Sequence, residues 1–186
     1  TIRDDEFTDY DRDLELLNTK WFAVLNEEAE RKMTGRIEQA RADRDSVGGI
    51  LETVITGLPV GVGEPYFDSL ESVLSHAVFS IGGVKGIEFG SGFAFATMPG
   101  SVANDAMHYE NGTVVCDTNH NGGINGGISN GMPVVFRSVF KPTPSIFRPQ
   151  NTIDYRNHTD TVLNLEGRHD PCIIHRARVV EDSMTA

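Results

Sequence analysis

The chain has 186 residues, enough for one domain with a real core and too few for two ordinary ones. Its formal net charge of -11 argues against nucleic acid as a partner, because that binding depends on Lys and Arg neutralising phosphates. No apolar run approaches the roughly 20 residues of a membrane span, and the acidic start TIRDDEFTDYDRD is the opposite of a signal or transit peptide, so a soluble cytoplasmic protein is expected.

Residues 1–44 mix Asp, Glu and Arg densely, as a solvated helical surface does. Within them Asn26 can cap a helix with an acidic first turn, which places Ala29, Met33, Ile37 and Ala40 on one face and stops near residues 46–49. Residues 50–56 have the β-branched content of a strand, and GLPVGVGEP at 57–65 is a loop. Asp68 and Glu71 form a capping-box pattern. The helix they open has Leu70, Val73, Leu74, Ala77 and Val78 as its buried stripe and ends at Gly82 and Gly83. Strands are predicted at 84–89 and 93–97, followed by loop-rich sequence at 98–120 with a short helix capped by Ser101 and an apolar run at 114–116.

The clearest strand is 132–141, where Val135, Arg137 and Val139 face one way and Phe136, Ser138 and Phe140 the other. Pro142 and Pro144 remove two backbone donors, so pairing stops there. Further strands are predicted at 152–155 and 161–165, and RARVVEDSMTA reads as the opening of a helix. Helices and strands alternate irregularly with hairpins between them, which predicts an α+β fold, mainly antiparallel sheet with packed helices. No repeat or low-complexity linker divides the chain, so residues 1–186 are expected to form a single domain.

Two clusters could carry chemistry. The run NHNGGINGGISNGMPVVFRSVFKPTPS at 119–145 has glycines that let backbone approach a ligand, and consecutive N–H groups there could form an anion-binding nest with Lys141 adding charge; a tight turn entering a buried strand is the structural alternative. In GRHDPCIIHRAR at 167–178, Arg168 and Asp170 would share a side if the segment is extended. Such a pair could bind an anion and move a proton, or simply close a turn as a surface salt bridge. His169, Cys172 and His175 invite a zinc hypothesis but lack paired-ligand spacing, and no metal is expected. Cys172 reads as a small buried hydrophobe, and it and Cys116 as reduced thiols.

Taken together, GLPVGVGEPYFDSLES, SIGGVKGIEFGSGF, NHNGGINGGISNGMPVVFRSVFKPTPSI and GRHDPCIIHRARVVEDSM resemble chorismate synthase, in the family's order and intervals from about residue 48 to the end. Residues 1–47 fit only as a variable helical region. The resemblance implies a β-α-β sandwich layer of that family's type. It also implies a lyase that converts 5-enolpyruvylshikimate 3-phosphate to chorismate and phosphate by 1,4-anti elimination, in aromatic amino acid biosynthesis. The family requires reduced FMN, some members reduce it themselves with NADPH, and relatives assemble as homotetramers.

Carried over by motif, the resemblance implies that Gly82, Gly83, Gly126, Lys141, Pro142, Thr143, Pro144, Ser145 and Arg168 contact FMN, with Asp170 as the catalytic carboxylate beside Arg168. Gly82 and Gly83 stand where relatives often have Asn-Ala, which leaves no side-chain contact there. The family's Gly-x-Ser-His-Gly segment, second catalytic histidine, substrate-binding arginines and Arg-Ser-Ser flavin motif do not occur in this sequence. The chain is therefore expected to be the C-terminal portion of the enzyme and inactive alone; the competing expectation is a non-catalytic anion- or flavin-binding or assembly module of the same fold.

Overall fold

The computed structural model describes residues 1–186. In chain order its elements are α1 (Tyr10–Thr19), α2 (Glu27–Ala42), β1 (Gly49–Ile55), α3 (Leu70–Phe79), β2 (Val84–Phe89), a 3-10 helix (Gly92–Thr97), α4 (Gly100–Ala103), β3 (Met107–Glu110), β4 (Thr113–Cys116), β5 (Ile124–Asn125), β6 (Ile128–Ser129), β7 (Val134–Phe140), β8 (Gln150–Asp154), β9 (Thr159–Leu163) and α5 (Ile174–Thr185). The chain divides into two compact units, Thr1–Gly49 with Lys141–Ala177, and Ile50–Phe140 with Arg178–Ala186. No helix is long and apolar enough to cross a membrane.

In the first unit, the Asn26 side chain accepts from the N–H groups of Glu28 and Ala29 and so opens α2 as its sequence predicts. Ala29 and Ala40 are buried and Met33 and Ile37 half-buried, which confirms the inward stripe. The helix stops at Ala42, a few residues before the expected end. The acidic N-terminal region is not all solvated surface. Asp13 is buried, accepting the N–H groups of Thr8 and Asp9 and pairing with Arg12, and these bonds hold its carboxyl down at about 2. Strands β8 and β9 form an antiparallel hairpin.

The second unit is built on the three-stranded sheet β1-β7-β2, with β2 antiparallel to β7. The alternation read along 132–141 is the burial pattern observed: Val134, Phe136, Ser138 and Phe140 are buried, while Val135 and Arg137 are half-covered and Val139 is exposed. Leu74 of α3, Ile124 of β5 and Val134 of β7 make a buried cluster, packed around by Ile55, Leu58, Leu70 and Phe89. On the other sheet face Arg137 spans three strands. It pairs with Glu88 of β2 at 2.9 Å and Glu52 of β1 at 3.6 Å, and donates to the carbonyl of Gly90.

Four local expectations are corrected. The cap of α3 is Ser69, whose Oγ accepts from Ser72 N–H, because the backbone of Asp68 is already committed to a two-way bridge with Glu64. Val73, placed in the buried stripe, is 51% exposed; Leu74 and Val78 carry the burial. The Phe-Ala-Phe-Ala-Thr alternation at 93–97 is a 3-10 helix, not a strand. Gly90 and Gly92 at positive φ turn the chain off the end of β2, Glu88 accepts the N–H of Phe93, and Phe93 lies exposed, so there is no half-buried sheet face for the alternation to serve. Similarly α4 follows Pro99 with no side-chain cap from Ser101.

The largest departure from a plain apolar core is Glu181 of α5, fully buried, with its carboxyl accepting from Thr53 Oγ1 at 2.9 Å and Ser138 Oγ at 2.5 Å. Burial pushes this carboxyl above its usual range, and the two hydroxyl bonds oppose that only in part. A raised acid contributes stability that is complete below its unfolded value, about 4.3, and lost as pH rises through the folded value. The variant Glu181→Gln keeps a neutral group of the same shape. Its stability relative to wild type should therefore increase as pH rises above about 4.3, measured by urea unfolding across pH. A difference independent of pH would show that the carboxyl carries no such burden.

Candidate functional site

The expected site residues fall in both units. Lys141, Pro142, Thr143, Pro144, Ser145, Arg168 and Asp170 belong to the first, and Gly82, Gly83 and Gly126 to the second.

In the first unit, residues 44–47, 143–148 and 168–171 meet at a junction. Ser46 Oγ donates to the carbonyl of Thr143 at 2.6 Å, Phe147 N–H to that of Arg44 at 3.1 Å, and Val47 N–H to that of Pro171 at 2.8 Å. Arg148 pairs with Asp45 at 2.9 Å, and the Ser46 N–H donated to that carboxyl, followed by the Arg148 bond, lowers it. The prolines end β7 as expected, and the corner that follows leaves Thr143 Oγ1 buried without a hydrogen-bond partner. A buried hydroxyl that the chain itself leaves unsatisfied is uncommon, and Glu71 Oε2 shares that state in the second unit. Lys141 and Arg168 are exposed, and neither makes an ion pair.

Asp170 is held differently from the expectation. Its partner is Arg176 in the first turn of α5, which donates to Asp170 Oδ2, and not Arg168 two residues before. The structure thus separates two roles that the spacing had joined: Arg176 orients the carboxylate and Arg168 stays available. His169 is removed as a metal ligand because both ring nitrogens face backbone carbonyls. Cys172 is buried, and burial pushes its thiol up, as befits an inert core cysteine. No group of three His, Cys, Asp or Glu side chains is placed to hold a metal.

In the second unit the Gly-rich run proves to be mostly a packing device. Gly122 donates to Asn119 O and Gly123 to Asn119 Oδ1, so these N–H groups are not the bare nest that the sequence suggested. A Cβ on Gly122 would lie 2.5 Å from Gly90 N and 2.7 Å from Val135 O, so only glycine lets three backbone stretches close there. Gly126 differs. It forms with Gly127 the positive-φ turn of the β5–β6 hairpin, is exposed, and faces open space. Gly127 O accepts the N–H of Leu70, which ties the hairpin to the start of α3. Gly82 and Gly83 follow the end of α3, so they are separated from Gly126 by that helix, about 15 Å long. Only an extended ligand could touch both.

Asp105 was not singled out by sequence, and it anchors the glycine run. It is 8% exposed and accepts four hydrogen bonds: Thr118 Oγ1 and His120 N–H on Oδ1, Asn121 N–H and Nδ2 on Oδ2. Burial works to raise its carboxyl, but the four donors win and hold it below the usual range. A depressed acid gives stability that is present above its unfolded value, about 3.9, and lost as pH falls through the folded one. Asp105→Asn turns an amide donor toward two donors and should cost about 1–3 kcal/mol near neutrality. That deficit should shrink in acid, measured by urea unfolding at each pH; a constant deficit would count against the ionised carboxylate as the anchor.

With this geometry in view, comparison with known proteins is direct. The family model for chorismate synthase matches residues 8–186. Relatives named chorismate synthase include those of Korarchaeum cryptofilum, 47% identical over 87% of this chain and 45% of the relative, and Methanocella arvoryzae, 50% identical over 83% and 41%. That of Pyrococcus abyssi is 47% identical over 92% of this chain and 48% of its own. A solved structure, described as the crystal structure of chorismate synthase, aligns with TM-score 0.69 and 25% identity over 87% of this chain and 41% of that one. The chain thus spans less than half the length of these relatives. A match over nearly the whole chain, with the expected mixed helix and antiparallel sheet beneath it, settles the kinship: this chain belongs to the chorismate synthase family.

Proposed function

We propose that the chain supplies the 141–145 corner, Arg168 and Asp170 to a site that converts 5-enolpyruvylshikimate 3-phosphate to chorismate and phosphate, with reduced FMN as cofactor. The observation that carries this reading is the junction of the first unit, where an unsatisfied buried hydroxyl on Thr143 and the unpaired cations of Lys141 and Arg168 occur in a chain of net charge -11. Unpaired cations and an orphan hydroxyl suit a phosphorylated, polyanionic ligand set. They fit FMN as well as substrate: within the first unit, Lys141, Thr143 and Arg168 would hold the cofactor. Reduced FMN, when bound, would supply electron density beside the substrate ring as phosphate departs.

The chain's own groups then divide the remaining work. Arg168 offsets negative charge that builds on leaving phosphate. Asp170 helps pass on the proton lost from substrate C6, with Oδ2 held by Arg176 so that Oδ1 is the oxygen left to exchange it. The same reading places the protein in the cytoplasm as a homotetramer, with NADPH entering only if the complete enzyme reduces its own flavin. The isolated chain is proposed to be inactive, because the family's catalytic histidines are not among its residues; chorismate formed by this chain from reduced FMN and substrate would overturn that clause.

In the complete enzyme, Asp170→Asn should lower kcat by about 10²- to 10⁴-fold, the range of a lost acid-base group, while FMN affinity changes only a few-fold. Rapid-quench turnover and flavin titration check the two numbers. Equal losses in both would mean that Asp170 holds the cofactor and does not move the proton.

A further inference from the structure

His169 lies between Arg168 and Asp170, and its ring faces two acceptors at once. Nδ1 is 2.5 Å from the carbonyl oxygen of Ser145, and Nε2 is 2.8 Å from that of Asp45. Carbonyl oxygens only accept, so both ring nitrogens must donate, and only the doubly protonated imidazolium has two N–H groups. Neutral imidazole keeps one and must release one carbonyl. The Phe147 ring lies 5.1 Å from the His169 ring, within range of a cation–π contact.

We infer that His169 is a positioning residue that, as imidazolium, pins the 44–47 loop and the 141–145 corner to the segment carrying Arg168 and Asp170. The inference rests on the reading of this junction as part of a flavin and substrate site. Charged groups around the ring are already engaged: Asp45 with Arg148 and Asp170 with Arg176, while Arg44 and Arg168 lie in the same segments. No carboxylate bonds the ring itself, so its proton is matched to backbone acceptors alone. Ser46 Oγ on Thr143 O, Phe147 N–H on Arg44 O and Val47 N–H on Pro171 O brace the same three segments. Releasing one arm would therefore loosen one loop and leave the others in place. The Thr143 hydroxyl and Arg168 would then lose their common placement without the fold being lost.

The test has two arms. In the full chain, ring ¹⁵N shifts of His169 and amide shifts of Ser46, Val47 and Ser145 are followed by NMR against pH. Both ring nitrogens should read as protonated, and the three amides should move together with the ring's deprotonation. A neutral tautomer throughout, or amides indifferent to the ring, would overturn the inference. In the complete enzyme, FMN affinity should weaken about tenfold across the same transition, the worth of one charge-assisted hydrogen bond, and His169→Gln should remove that pH dependence. If the amides follow the ring but FMN does not bind at any pH, the clamp stands and the flavin reading fails.

Discussion

Strand β7 is the constraint on which the rest depends. Its period-2 alternation buries Val134, Phe136, Ser138 and Phe140 on one face, and a slip of one residue would bring Arg137 inward and send Phe136 to solvent. Two of the motifs singled out in the sequence adjoin it in the chain. The glycine run enters at its start, and the 141–145 corner leaves from its end. Register is held from both faces: on one, Glu181 is bonded to Ser138, and on the other Arg137 reaches Glu52 and Glu88.

The polar groups of the two units are of two kinds. Asp105, Asn119 and Glu181 are saturated by the chain and serve to hold shape. Thr143 Oγ1, Lys141 and Arg168 are left unspent. The proposed site rests on this contrast more than on the abundance of glycine.

Much of the fold was legible because the signals were local. Asn26 caps α2, the apolar face of that helix recurs at helical spacing, and the alternation on β7 and the strand at 84–89 are written in consecutive residues. Errors arose where a distant or neighbouring backbone decided the matter. Asp68 resembles a cap until Glu64 claims its backbone, and the Phe-Ala repeat resembles a strand until Glu88 and two positive-φ glycines turn it. The proposed site's residues came from family resemblance, and their wiring could not be read from the sequence. Nothing near Asp105 announces that its partners lie 13 to 16 residues ahead. Asp170 pairs with Arg176 because α5 begins between them, which spacing in an extended segment cannot reveal.

The junction around His169 has a property with a different bearing. Its acceptors are the carbonyls of Arg44, Asp45, Thr143, Ser145 and Pro171, atoms that every amino acid carries. Side-chain identity matters in this wiring at the donors His169 and Ser46 and at Asp45, whose carboxylate accepts Ser46 N–H and pairs with Arg148. Substitutions at the other accepting positions leave the bonds intact so long as the backbone path is kept. The arrangement concentrates the side-chain sensitivity of this wiring in His169, Ser46 and Asp45, so the backbone path of the corner can outlast changes at positions that contribute only a carbonyl.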